Sequence, residues 1–118
     1  MSRESIIGKK SFDFALQIIL LYKELINAHE FVISKQLLRS GTSIGANTRE
    51  ASAAQSTRDF ISKLSIALKE AKETEYWLSL LQESKLVELD YSAYMNEVDE
   101  LIKILTSIIK TSQENIHN

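Results

Sequence analysis

The chain contains no cysteine and no proline, and among its 118 residues only three glycines and two histidines. The missing cysteines exclude disulfide frameworks, zinc–thiolate sites and thiol catalysis, which fits a reducing compartment and makes the cytoplasm the expected location. Without proline, and with so few glycines, little in the chain can break a long helix, and strand-like alternation of apolar and polar residues is missing as well. Long hydrophobic runs are also lacking. The longest, Ile18 to Tyr22, falls far short of the roughly twenty residues that span a bilayer, and the polar start Met1 to Glu4 has no signal-peptide pattern. A soluble protein without membrane contact is expected. Nor does charge of one sign dominate: the formal net charge is −2, so there is no global drive toward nucleic acid or acidic membranes.

What the chain does have is helical periodicity, with enough apolar content (44%) to bury one core. The expected fold is all-α, a single domain over residues 1–118, with helices at about 11–28, 33–55, 57–84 and 90–111. In the first helix Phe14, Ile18, Leu21 and Leu25 form one stripe and Phe12, Ala15, Ile19, Tyr22 and Ile26 a second, an apolar face wider than one bundle needs. Ser56 with Asp59 three residues on has the form of a capping box and starts the third helix. Phe60, Leu64, Ala67, Ala71, Thr74, Leu78 and Leu81 then alternate spacings of four and three, the seam of a left-handed antiparallel bundle. Leu86, Val87 and Leu89 are expected to plug the connection before Asp90 caps the fourth helix. There Tyr91, Tyr94, Val98, Leu101, Leu105 and Ile108 repeat the spacing, and a flexible tail frays from Thr111. Four such helices with short connections pack most simply as an antiparallel up-down-up-down four-helix bundle, a rod about 30 to 40 Å long.

The second helix carries the most informative segment, Gln36 to Asn47 (QLLRSGTSIGAN). The glycine pair Gly41-x-x-x-Gly45 suggests a phosphate loop, but the lysine and hydroxyl that complete one are missing and no strand precedes it. Leu37, Ile44 and Ala51 hold a seven-residue period straight through the segment, so it belongs to a helix. A glycine inside a helix costs roughly 1 kcal/mol relative to alanine, so a close helix–helix approach is expected along the flank of Ser34, Leu38, Gly41, Gly45 and Ser52. The opposite flank carries Gln36, Ser40, Ser43, Asn47 and Glu50, read as a polar network that sets helix register, with a ligand pocket as the sharper alternative. Residues 31–58 hold Lys35, Arg39, Arg49 and Arg58 against Glu50 alone, whereas residues 59–118 hold six lysines against eleven carboxylates. Those four cations are the candidate nucleic-acid contacts, and their number implies weak binding of RNA or single-stranded DNA. On the third helix Ile66, Tyr76, Trp77 and Leu80 fall outside the core seam. Large apolar groups there point to an oligomer interface, with Trp77 as its anchor.

No catalytic constellation assembles from these residues. A carboxylate-bridged dimetal site needs two Glu-x-x-His units, and the chain has one, Glu114 to His117. Neither His29 nor His117 follows an arginine at the four-to-six-residue spacing of helical-bundle nucleases, and no Ser/His/Asp triad can be composed. No cofactor, no metal and no enzymatic activity are expected.

Together with Glu50-Ala51 and the run Lys69 to Leu78 (KEAKETEYWL), the Gln36–Asn47 segment resembles the bacterial four-helix-bundle proteins named for open reading frames in intervening sequences of large-subunit ribosomal RNA genes. The resemblance covers nearly the whole chain. That family is similar in fold to the accessory variability determinant of diversity-generating retroelements, a pentameric barrel that binds nucleic acid and a reverse transcriptase. The resemblance implies a homopentamer and a non-enzymatic interaction scaffold, with RNA or an RNA-associated protein as partner and other protein partners unidentified. Its alternative is a nucleic-acid-binding accessory protein of a reverse-transcriptase or intervening-sequence element. It further implies that Asn47, Glu50, Glu70 and Trp77 hold fold and assembly. The net charge departs from the strongly basic balance of the retroelement protein.

Overall fold

The computed structural model describes residues 3–117. Four helices run α1 Arg3–Asn27, α2 Ile33–Ser52, α3 Thr57–Ser84 and α4 Ser92–His117. Each packs on its neighbours in sequence, and α4 closes back onto α1. The fold is therefore an all-α four-helix bundle. Its longest extent is 51 Å, beyond the 30 to 40 Å expected, because both outer helices are longer than the periodicity suggested.

α1 begins eight residues before the expected Ser11. Ile7, Ser11, Phe14 and Ile18 continue one buried stripe, and Gly8, whose absent side chain would meet nothing within 4 Å, interrupts neither stripe nor helix. The helix ends in a Schellman motif: Glu30 N–H donates to the Leu25 carbonyl (2.9 Å) and His29 N–H to the Ile26 carbonyl (2.9 Å), with His29 in the left-handed conformation at φ 64°. The start of α2 is then held from outside the helix. The buried Glu30 carboxylate accepts the backbone N–H groups of Val32 (3.1 Å), Ile33 (3.0 Å) and Ser34 (2.6 Å), while the Ser34 hydroxyl donates to the Glu30 carbonyl (2.8 Å). Three of the orphan donors of a helix N-terminus thus share one side chain.

α2 ends at Ser52, short of the expected 55. The turn into α3 follows the expected cap, in which Ser56 Oγ accepts the Asp59 N–H (3.0 Å) and Asp59 accepts the Gln55 N–H (3.3 Å). α3 closes on Lys85 at φ 55°. Leu86 and Leu89 are exposed and do not plug the connection. The anchor is Tyr91, buried, with its hydroxyl donating to the Val87 carbonyl at 2.7 Å. Asp90 accepts the Ser92 N–H (3.0 Å) at the first turn of α4. That helix does not fray at Thr111 but continues to His117, with Ile108 and Ile109 buried in the core; Asn118 lies outside the described residues. The expected α3 and α4 seams form the core with the inner stripe of α1 and with Leu37, Ile44 and Ala51 of α2, Phe60 and Tyr94 being only partly buried.

Candidate functional site

Two surfaces on either side of α2 collect the residues singled out above. On the α1 side lie the glycines. A Cβ on Gly41 would stand 2.8 Å from Ile18 Cγ2, and one on Gly45 3.3 Å from the Ser11 carbonyl oxygen. Both are packing glycines that let α1 approach, inside a continuous helix where no phosphate cradle forms. Beside them an outer apolar face of α1 stays uncovered: Phe12 and Ile19 of the second stripe, with Leu16 and Leu20, are 39% to 53% exposed, while Ala15, Tyr22 and Ile26 of that stripe are half-buried. Much of this face lines a groove of about 760 Å³ between α1 and α2, with Gly8 and Gly45 also in its walls and Lys9 and Arg49 among its polar residues.

On the α3 side the polar flank splits. Ser40 is fully buried, and the Thr74 hydroxyl donates to it at 2.8 Å while Ser40 donates to the Leu37 carbonyl at 3.4 Å. This is the one hydroxyl pair bridging α2 and α3 among the described residues. Ser43 and Asn47 turn back onto their own helix, donating to the Arg39 carbonyl (2.6 Å) and the Ser43 carbonyl (2.8 Å), and Glu50 is exposed. The stronger tie between the helices comes from a residue grouped with the cations. Arg39 donates to Glu70 (3.1 Å) and to Glu73, and the Trp77 indole N–H donates to Glu73 at 3.0 Å. The Trp77 and Arg39 donors hold the Glu73 carboxyl below the usual carboxylate range against the upward push of its burial. In return Glu73, foremost, and Glu70 hold the Arg39 guanidinium more firmly protonated.

This clasp redistributes the sequence-derived roles. All four candidate nucleic-acid contacts are exposed, but Arg39 is paired with two carboxylates, which leaves Lys35, Arg49 and Arg58, spread from the start of α2 to the first turn of α3. Of the external α3 set, Ile66 and Tyr76 are 41% and 57% exposed, whereas Trp77 and Leu80 are half-buried. Trp77 packs against the core with Tyr76 edge-on at 5.1 Å between ring centroids. It is thus a structural member of the α2/α3 seam. Glu73 and Thr74 were not singled out beforehand as bridging residues; Glu73 lies 34 residues from Arg39, beyond the reach of any local pattern. Among the described residues no group of three or more His, Cys, Asp or Glu is placed to hold a metal ion, and no helix is long and apolar enough to cross a membrane.

No curated protein matches the chain. It is similar to a solved structure from Bacteroides thetaiotaomicron VPI-5482, that of a protein with unknown function from the S23 ribosomal protein family. The two are 54% identical, with a TM-score of 0.88 over 92% of this chain and 99% of the other. The model of one family, the 23S rRNA-intervening sequence proteins, matches residues 3–107. With the glycine-packed α2 and the Arg39–Glu70–Glu73–Trp77 clasp formed from the very segments that carried the resemblance, the chain belongs to the 23S rRNA-intervening sequence protein family.

Proposed function

We propose that this protein acts by assembly and not by catalysis: a homo-oligomeric scaffold, pentameric as the family resemblance implies, that meets RNA weakly or through an RNA-bound protein. The observation that carries this reading is the uncovered outer apolar face of α1. Four large apolar side chains, Phe12, Leu16, Ile19 and Leu20, stand about half-exposed together beside a groove, and clustered exposed apolar groups of this kind mark interaction surfaces. The family's name supports the RNA connection. The location of the free cations supports weakness, because three scattered charges on an acidic chain release few counterions. Light scattering decides the first part: a mass several times 13.4 kDa is expected at micromolar concentration, with Leu16→Glu lowering it. A parent chain that runs at the subunit mass would sink the scaffold reading.

A further inference from the structure

We propose that one end of the bundle, built from the α1–α2 and α3–α4 connections, docks a basic, apolar-anchored segment of another protein. This rests on the partner-protein side of the proposed function and uses none of the outer face of α1.

Lys10 of α1 pairs with Glu100 of α4 at 2.7 Å. Farther along α1, burial and then the charges of Glu24 and Glu30 push the Tyr91 hydroxyl up, which puts the residue before α4 near the end of α1. The two helices therefore run antiparallel, and the α1–α2 and α3–α4 connections share an end. That end exposes Phe31 and Val32 from one connection and Leu86 and Leu89 from the other, Val32 at 73%. Single exposed apolar residues are ordinary, but four at one end mark an interaction surface. Their exposure is not slack, because both connections are pinned. The Glu30 carboxylate holds the Val32 N–H, His29 packs edge-on to Phe31 at 6.1 Å between ring centroids, and Ser84 Oγ accepts the Leu86 N–H at 3.2 Å. A surface held ready in this way binds at a lower ordering cost.

Size and charge select the occupant. Leu81, Val87, Leu89 and Tyr91 wall a pocket of about 270 Å³, with Lys85 and Glu88 among its polar residues. It is smaller than small-molecule sites, which run to about 300–1,000 Å³, and suits one large apolar anchor. Around it, residues 83–90 carry Glu83, Glu88 and Asp90 against Lys85 alone, all of them exposed. Asp90 is engaged by Ser92, whereas Glu83 and Glu88 make no ion pair among the described residues. On the other connection the Glu30 carboxylate is turned to its own cap, and Lys35 stands exposed in the first turn of α2. The excess of carboxylates beside the pocket calls for Lys or Arg in the occupant. It disfavours a second copy of this end, which would oppose like charges, and it disfavours an anionic membrane surface. RNA-binding proteins carry arginine-rich segments that order on binding.

The test uses short labelled peptides of three kinds: amphipathic leucine–lysine, leucine–glutamate and serine–lysine. Fluorescence anisotropy should show the leucine–lysine peptide binding at least about tenfold tighter than either control. Phe31→Ser and Leu89→Ser should each weaken it by a similar factor, with both variants keeping the parent mass by light scattering. Glu83→Lys combined with Glu88→Lys should shift preference to the leucine–glutamate peptide. Should Leu89→Ser lose its helical melting transition, Leu86→Ser at an exposed position replaces it. Equal binding of the leucine–lysine and serine–lysine peptides removes the apolar anchor and overturns the proposal. Binding lost in Leu16→Glu while the end variants bind normally moves the site to α1 and overturns it too. So does sedimentation with phosphatidylserine vesicles that Phe31→Ser abolishes, which makes this end a membrane contact. A parent chain at the subunit mass would instead sink the scaffold reading and leave the docking result standing.

Discussion

Gly41 and Gly8 occupy the same kind of backbone, a helix interior, yet their neighbours assign them opposite costs. An alanine at Gly8 meets nothing within 4 Å and gains helix propensity, so Gly8→Ala should stabilise by about 0.5–1 kcal/mol. At Gly41 the new methyl would press on Ile18 Cγ2 at 2.8 Å, close to the backbone of a β-branched side chain that has little freedom to turn aside. Gly41→Ala should therefore destabilise, and Gly41→Leu should do so by about 1–3 kcal/mol. Gly45→Ala, against a carbonyl at 3.3 Å, should fall between the two. Urea denaturation of the four variants tests the order; a Gly41→Ala variant as stable as Gly8→Ala would mean that Ile18 yields freely. The packing role of Gly41 and Gly45 was legible because a glycine inside a strong helical period demands a reason. The clasp of Arg39 was not, since an arginine on a polar helix face reads the same whether it faces water, phosphate or a carboxylate 31 residues away.

Helix ends were legible where they used the commonest chemistry. Ser56 and Asp59 placed the start of α3 to the residue; the start of α2 at 33 was read as well, but its cap escaped notice because it is Glu30, a residue type that rarely plays the part and sits two positions before the helix-flanking Val32. The interior stripes of α3 and α4 were read correctly for the same reason that α1 was cut short: periodicity reports a buried face, and a glycine near its edge looks like an end. Glu30 also makes the α1–α2 connection sensitive to pH. Burial pushes its carboxyl up, but the N–H groups of Ser34, Ile33 and Val32 together outweigh that and hold it below the usual glutamate range. A carboxyl so depressed in the folded state contributes stability that is fully present above the ordinary glutamate range and is lost as pH falls through the depressed value. Glu30→Gln should accordingly destabilise by about 1–3 kcal/mol at neutral pH, and the gap between variant and parent should narrow as the pH is lowered toward about 3. Guanidinium unfolding at the two pH values checks this, and a gap independent of pH would show that the carboxylate's charge is not what the cap uses.

For the molecule as a whole, the weighing of local against global charge yields a prediction about nucleic acid. With Arg39 held by Glu70 and Glu73 and a net charge of −2, binding to single-stranded RNA should be micromolar or weaker near about 150 mM salt and should fall steeply as salt rises. Removing Lys35 and Arg49 together should flatten that salt slope, while Arg39→Ala should barely change it. Fluorescence anisotropy with a labelled oligonucleotide reads both, and tight binding at about 150 mM salt that survives loss of Lys35 and Arg49 would make direct nucleic-acid recognition, through other residues, the better account of the protein. The cyclic order of the helices carries one more consequence, for the time course of folding. Three of the four helix–helix contacts join neighbours along the chain, each across a short turn, and the fourth, between α1 and α4, is the thinnest, crossed by the exposed Lys10–Glu100 pair. Low contact order of this kind belongs to chains that fold in microseconds to milliseconds. The hairpins between sequence neighbours are therefore expected to form before the α1/α4 closure.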